Sequence, residues 1–204
     1  MSLFKRITEK PWETKGVVGG LNPEGSFDAA PEKVALVIFL VVASVIVSML
    51  TVSYYVRMEL PDWTPLSDPA QLWLNTGLLV VSSILFQWAR NLVSNGQGKY
   101  LMAALVGAGV FAVLFIAGQL VAWNSLQSAG YFVASNPANS FFYLLTGLHA
   151  LHLLGGLWVW SKSLIRLLSL GEPQDVRLSI ELCTLYWHFL LIVWLVMFAI
   201  LSNT

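Results

Sequence analysis

Charge is scarce in this chain. Of its 204 residues only 11% are Asp, Glu, Lys or Arg, and 57% are hydrophobic, whereas soluble domains carry about 25% charged residues. No charged side chain occurs between Lys33 and Arg57, between Lys99 and Lys162, or after Glu181. Because a helix crosses the hydrocarbon core with about 20 apolar residues, these uncharged runs predict an all-α membrane protein. The net charge of zero says nothing about nucleic acid, and because the chain has no basic stripe we do not expect nucleic acid as a partner.

Cysteine and the usual catalytic signatures are also missing. Cys183 is the single cysteine, which excludes a disulfide framework or a thiolate metal site within one chain. The N-terminus has no short apolar core followed by a cleavage site, so we expect no signal peptide. Because no nucleophile–base pair, glycine-rich phosphate loop or zinc motif occurs, we expect no catalytic site and no metal in this chain.

Five apolar segments fill most of the chain. A polar N-terminal cap occupies residues 1–33, and a transmembrane domain of five helices is predicted over 34–202. The spans lie near 34–57, 70–92, 99–125, 138–168 and 178–202, with Gly, Asn and Pro marking the loops between them.

The basic residues predict how the spans are oriented. With five spans, all eleven Lys and Arg residues except Arg57 fall on the same side as the N-terminus. Because cytoplasmic loops carry the excess of Lys and Arg, the cap is predicted to be cytoplasmic, with the N-terminus inside and the C-terminus outside.

Tryptophan is abundant near the ends of the predicted spans. Trp and Tyr are enriched at both membrane–water interfaces. An interfacial belt is therefore predicted, made of Trp63, Trp73 and Trp123 on the outer side and Trp88, Trp158 and Trp160 on the inner side.

All three histidines lie inside predicted spans. His149 and His152 are three residues apart and share a helix face, and His188 lies at a similar depth on the next helix. Matched depth is what a bis-histidine haem or metal site requires, and a stand-alone membrane cytochrome is one hypothesis. The alternative is that neutral imidazoles tie helices together by hydrogen bonds. Ligating histidines usually have a carboxylate behind them, and none lies at mid-membrane here, which favours the structural interpretation.

Other polar residues within the spans allow a third hypothesis. Ser83, Gln87 and Gln119 offer a polar path for a small transporter or channel. Transporters of this kind usually contain internal repeats and discontinuous helices. The chain has neither, so these residues are better explained as interhelical hydrogen-bonding groups.

Three motifs together resemble one known family. Residues 147–156 read Gly-Leu-His-Ala-Leu-His-Leu-Leu-Gly-Gly, residues 187–189 read Trp-His-Phe and precede a further Trp, and 74–76 read Leu-Asn-Thr ahead of Ser82-Ser83. In this combination they resemble subunit III of haem–copper oxidases (cytochrome c or quinol oxidases), in the short five-helix bacterial form. The matching positions are His149, His152, Trp187, His188, Phe189, Trp194, Asn75 and Thr76.

The resemblance implies a non-catalytic accessory subunit. Its helices would form two groups separated by a cleft that holds phospholipid. The subunit would lie in the bacterial plasma (inner) membrane, pack on catalytic subunit I and support its assembly and turnover. Haems and copper would belong to partner subunits, and this chain would carry no cofactor except bound phospholipid. The site residues would act in helix packing and lipid binding.

The chain departs from the family where acids are usual. Leu191 occupies the position of an aspartate after Trp-His-Phe, Ala122 that of a glutamate after Gln119, and the predicted first span, 34–57, lacks the carboxylate that is usual there. Proton-related roles that depend on these acids are therefore not expected here. The departures also suggest an alternative, the accessory subunit of a nitric oxide reductase.

Overall fold

The fold is described by a computed structural model that covers residues 30–64, 71–170 and 176–202. All regular structure in these ranges is helical, and five helices are long and apolar enough to cross a membrane. They are α1 (Pro31–Met58), α2 (Gln71–Ser94), α3 (Leu101–Ser128), α4 (Pro137–Leu170) and α5 (Arg177–Ser202), with one 3₁₀ turn at Gly98–Tyr100. The prediction of an all-α protein with five membrane helices is confirmed. Most of the predicted polar cap, residues 1–29, lies outside the described residues.

Most helix ends lie one to three residues beyond the predicted spans, because polar residues form the terminal turns, whereas α2 and α3 begin slightly inside the predicted starts at 70 and 99. α1 begins at Pro31 and contains Glu32 in its first turn. Proline is favoured at the first helical position, and an acidic residue there interacts favourably with the helix dipole. Hydropathy alone marks only the apolar part of such a helix.

Local sequence signals set three of the boundaries. Gly96 has a φ of +68°, and the N–H of Gln97 donates to the carbonyl of Leu92 at 2.9 Å, as in the Schellman motif that closes α2. Gly130, with a φ of +90°, closes α3 in the same way. At the start of α4, the Oδ1 atom of Asn136 accepts the N–H of Ala138 at 3.1 Å, which is an N-cap ahead of proline.

The chain divides into two units, Met1–Ala35 and Leu36–Thr204. In the second unit α2, α3, α4 and α5 form a closed ring in which each helix contacts two others. α1 lies outside this ring. In its most apolar stretch only 6% of the residues are buried, against 39–50% in the other four helices. α1 is thus peripheral to a ring of four helices, and the division into two groups separated by a lipid-holding cleft stays a prediction.

Side chains that donate to backbone carbonyls join neighbouring helices of the ring. Because lipid tails provide no hydrophobic force between helices, such bonds and close van der Waals contact hold a membrane bundle together. The bonds are Ser82 Oγ to Ala108 O (2.8 Å), Thr184 Oγ1 to Phe86 O (3.2 Å), Trp160 Nε1 to Leu105 O (2.9 Å) and Tyr186 Oη to His152 O (2.9 Å).

The tryptophans divide into two sets, which differs from the predicted belt. Trp73, Trp88 and Trp158 are exposed. In contrast, the indole N–H of Trp123 donates to Thr146 Oγ1 at 3.0 Å and that of Trp160 to a backbone carbonyl. These two lie on faces that meet a neighbouring helix, which composition does not reveal, so their indoles join helices of the ring.

Candidate functional site

The motif residues come together at the contacts among α2, α3, α4 and α5. They form two groups. One surrounds His149 and Trp194, and the other surrounds His188. Since each group takes side chains from at least two helices, helix packing decides the geometry of both.

His149 is enclosed by aromatic rings. It is 3% exposed, and its imidazole lies 5.1 Å from the Trp194 indole and 5.8 Å from the Phe115 ring, between ring centroids. Phe115 and Trp194 meet edge to face at 4.8 Å. Neither ring nitrogen of His149 has a hydrogen-bond partner among the described residues. His149 therefore joins α4 to α3 and α5 by ring packing.

Trp194 connects this group to the Asn-Thr motif of α2. Its indole N–H donates to Thr76 Oγ1 at 2.9 Å. Thr76 in turn donates to the carbonyl of Leu72 at 2.8 Å, so its hydroxyl serves as both donor and acceptor. The motif residues of α2 and α5 are thereby joined directly.

Asn75 joins α2 to α3. It is fully buried, and its Nδ2 group donates to Gln119 Oε1 at 3.2 Å. A side chain at Gly118 would overlap the Asn75 amide. The absence of a Cβ at Gly118 therefore allows the amide pair to form in the interior.

Trp187 fills the space between α2, α4 and α5. It is fully buried, and its ring centroid lies 4.4 Å from that of Phe86. A Cβ at Gly156 would lie 2.7 Å from Trp187 Cζ3. Gly156 of the first motif thus makes room for the tryptophan of the second.

His188 takes part in a chain of hydrogen bonds with α2. Its Nδ1 atom lies 2.6 Å from Ser83 Oγ and its Nε2 atom 3.0 Å from Gln87 Oε1. The Nε2 group of Gln87 donates to Asn91 Oδ1 at 3.0 Å. We call Ser83, His188, Gln87 and Asn91 the polar ladder. Both nitrogens of His188 are used, so haem or metal ligation at this residue requires breaking one of these bonds.

His152 and Phe189 lie on the side of the ring that faces α1. The Nδ1 atom of His152 is 2.8 Å from the carbonyl of Leu148, one turn earlier, and its ring lies 6.2 Å from that of Phe39. His149, His152 and Phe189 line a small apolar cavity of about 20 Å³. They therefore shape the contact between α1 and the ring.

His149 and His188, which the sequence predicts at a similar depth, have different surroundings in the structure. His149 lies among aromatic rings, whereas His188 is bonded to Ser83 and Gln87 of α2. Within the described ranges, no three His, Cys, Asp or Glu side chains come close enough to share an ion. The arrangement therefore favours the hypothesis of helix-joining hydrogen bonds for His188.

Gln87 was not recognised as the partner of His188 from the sequence. A signal was present, since Ser83, Gln87 and Asn91 repeat at four-residue spacing and so share one face of α2. Which helix this face contacts is visible only in three dimensions.

Leu191 occupies the position at which the family resemblance implies an aspartate, and its surroundings, within the described ranges, are also without an acid. Leu191 lies beside His188 and lines the same surface groove. No ion pair joins two helices among the described residues. The ion pairs found there are Arg57–Asp62, next to the end of α1, and Arg177–Glu181, within the first turns of α5. In the part of the chain that the structure describes, the buried polar side chains include no Asp, Glu, Lys or Arg.

These features define a class of protein, a multi-pass helical membrane subunit whose buried polar and aromatic side chains join its helices. Residues 32–202 match the family described as cytochrome c oxidase subunit III. The chain belongs to that family.

Several relatives support the assignment. The chain is 30% identical over 169 residues to a cytochrome c oxidase subunit 3 of Synechocystis sp., covering 80% of this chain and 71% of that protein. It is 32% identical over 146 residues to a probable cytochrome c oxidase subunit 3 of Mycobacterium tuberculosis, covering 69% of this chain and 70% of that protein. A chicken (Gallus gallus) cytochrome c oxidase subunit 3 is 28% identical over 125 residues, and the match covers 61% of this chain and 47% of that protein. The chain thus spans about half the length of the longer relatives.

Proposed function

We propose that this chain is the non-catalytic subunit III of a bacterial respiratory haem–copper oxidase. It lies in the plasma membrane with its N-terminus in the cytoplasm, packs on the catalytic subunit and supports assembly and turnover. Haems and copper belong to the partner subunits.

The hydrogen bonding of His188 carries this proposal. Both imidazole nitrogens are engaged by Ser83 and Gln87, and the Trp194 indole is engaged by Thr76. The residues that the family motif marks are thus used to hold α2 and α5 together. Side chains committed in this way build a scaffold, and family membership makes an oxidase the complex that it serves.

Copurification tests the proposal. The chain, tagged and purified in mild detergent from its native membrane, is expected to bring with it a larger haem-bearing subunit that consumes oxygen. The isolated chain is expected to show no haem absorbance. A haem spectrum from the isolated chain that disappears in His188→Ala would establish the bis-histidine cytochrome instead.

A phospholipid acyl chain is the second part of the proposal. A groove of about 330 Å³ runs between α1, α4 and α5, lined by apolar side chains such as Phe39 and Val159 and by Gly155 and Gly156. The polar groups of Tyr186 and Cys183, which also line this groove, are already paired: the Tyr186 hydroxyl donates to the carbonyl of His152, and the Cys183 thiol lies 3.9 Å from Ser163 Oγ. A groove without free polar groups suits a hydrocarbon tail.

Gly155 offers a sharp test of lipid binding. A Cβ there meets no atom within 4 Å, and the same holds for Gly77 on α2. Gly155→Leu is expected to fill the groove and lower the number of phospholipids retained per complex in native mass spectrometry, whereas Gly77→Leu should not. Equal lipid retention in both variants would refute an acyl chain in this groove.

The accessory subunit of a nitric oxide reductase remains the alternative, and Leu191 is the observation that favours it. An apolar residue beside His188, where the family usually has an acid, fits a branch that does not depend on this acid. The activity of the copurified catalytic subunit decides between the two: oxygen consumption supports the oxidase, and nitric oxide consumption without oxygen consumption supports the alternative.

A further inference from the structure

The polar ladder lies on the surface of the helix ring as well as within it. Ser83, Gln87, Asn91 and His188 line an open groove of about 520 Å³ between α2 and α5, with Ile84 and Trp88 beside them. We call this surface the α2–α5 groove. Ile84 is 61% and Trp88 44% exposed.

The hydrogen bonds of the ladder run in one direction. The Oε1 atom of Gln87 can only accept, so His188 Nε2 carries the proton in this bond. In a neutral imidazole the other nitrogen is then an acceptor, and the Ser83 hydroxyl donates to it. The ladder therefore passes from Ser83 through His188 and Gln87 to Asn91, each group donating to the next.

This direction leaves one amide proton of Gln87 that no bond of the ladder uses. Gln87 uses one of its two amide protons for Asn91 Oδ1. The Nδ2 group of Asn91 follows one turn later on the same exposed face. The groove thus offers donors, and its complement is a hydrogen-bond acceptor.

Lipid acyl chains cannot supply the hydrogen-bond acceptor that the α2–α5 groove requires. Ser83 lies near the middle of α2 and Gln87 one turn further along, whereas Asn91 lies in the last turn of the helix, close to its end at Ser94. Acyl chains carry no acceptor, and polar side chains at such depth usually face protein. The exposed face of α1 has no such requirement, because the hydroxyls of Ser44 and Ser48 on it donate to carbonyls of their own helix.

We propose that the α2–α5 groove is the docking surface for a transmembrane helix of the partner subunit, and that this helix presents an acceptor side chain to Gln87. The proposal rests on the proposed function, since it names the surface by which the chain joins its complex. Ile84 and Trp88 line the groove beside Gln87 and supply its central apolar contacts, and tryptophan is enriched at the energetic centres of interfaces.

Photo-crosslinking within the intact complex tests the surface. A photoreactive amino acid is placed at Ile84 or, as a matched control, at Ile165 of α4, which is 60% exposed and outside the groove. Crosslinked peptides are identified by mass spectrometry of the purified complex. The expected result is a crosslink from position 84, but not 165, to a transmembrane segment of the larger subunit.

A steric variant provides a second readout. Ile84→Trp is expected to lower the yield of the copurified larger subunit by about tenfold or more, the effect of losing a central contact, while Ile165→Trp leaves it unchanged. An intact complex in Ile84→Trp, with position 84 crosslinking only to lipid, overturns the groove and leaves the proposed function standing. Failure of the unaltered chain to copurify with any larger subunit overturns both.

Discussion

At the scale of single residues, the three histidines show how a membrane protein accommodates imidazole without an acid. His188 satisfies both nitrogens with neutral groups of α2. His149 is surrounded by rings, and His152 bonds to its own helix. The partners of all three are uncharged groups, as expected where an ion is costly. The residues act by joining helices and shaping contacts.

Replacing His188 tests this structural role. His188→Phe leaves Ser83 and Gln87 without their partner, so we expect a loss of about 1–3 kcal/mol in the free energy of unfolding, as for a buried polar group left unpaired. Unfolding in mixed detergent micelles measures this loss. Ile192→Phe, on an exposed position of the same helix, should change stability by less than about 0.5 kcal/mol. Loss of all turnover in a fully assembled His188→Phe complex would contradict a purely structural role.

Asp62 gives a prediction outside the membrane. The Arg57 guanidinium donates to both carboxylate oxygens, with Nη1 to Oδ1 at 2.7 Å, and this hydrogen bonding holds the pKa of Asp62 below its usual value. Because the folded pKa is depressed, the contribution of Asp62 to stability is present above the unfolded pKa of about 3.9. It is lost as the pH falls through the folded pKa.

Titration of Asp62 by NMR checks this expectation. In Arg57→Gln the pKa of Asp62 should rise towards the usual value, because the donor and the positive charge are both removed. Lys33→Gln serves as a charge-matched control far along the sequence. An Asp62 pKa that is the same with and without the Arg57 side chain would contradict the pairing.

At the scale of helices, contacts between tryptophan and glycine set the distances. The Trp160 indole crosses α3 at Gly109 and donates to the carbonyl of Leu105, one turn earlier. Trp187 likewise lies against Gly156. Small residues let backbones approach closely in membrane bundles. In this protein the glycines also leave space for a large aromatic side chain of the neighbouring helix.

A pair of glycine substitutions tests this point. A Cβ at Gly109 would overlap the Trp160 indole, whereas a Cβ at Gly77 meets no atom within 4 Å. Gly109→Ala is expected to destabilise the protein by about 1–3 kcal/mol through overpacking. Gly77→Ala should be neutral or stabilise by up to about 1 kcal/mol, because alanine is the better helix former. Unfolding in mixed micelles measures the free energy of unfolding of both variants. Equal changes would show that the Trp160 indole can move aside without destabilising the protein.

At the scale of the whole molecule, the ring of α2–α5 is the cohesive part and α1 is peripheral. α1 buries Ala43 and Tyr54 but exposes most of its apolar residues. In water such a helix would collapse onto the ring. In a bilayer it need not, since lipid tails cover apolar side chains as well as protein does.

The orientation across the membrane is a prediction at this scale. The distribution of Lys and Arg predicts that the turn after α2 is cytoplasmic and the loop after α3 is external. Asn95→Cys and Phe132→Cys lie in these loops at exposed positions, and the natural Cys183 is buried. A membrane-impermeant thiol reagent added to whole spheroplasts is expected to label position 132 and not 95. The reverse pattern would invert the topology.

The fold was largely predictable from the sequence. Long apolar runs indicate helices that are surrounded by lipid, and polar and turn-forming residues mark the loops that face water. The five spans were placed within a few residues of α1 to α5, and the helix ends at Gly96 and Gly130 follow from local backbone chemistry. Of the site, the sequence predicted that His188 would act through hydrogen bonds. It did not predict Gln87 as the partner or the ring contacts of His149.

The sequence by itself determined the membrane solvent, the number of helices, the neutral interior and the family. Each follows from composition or from motifs along one helix. Only the tertiary structure decided which helices adjoin, that Trp123 and Trp160 turn inward, and that the polar ladder reaches the surface. The physical reason is that periodicity defines the face on which a residue lies, whereas its partner depends on the rotation and register of another helix. Between apolar helices in lipid, neither quantity leaves a strong trace in the sequence.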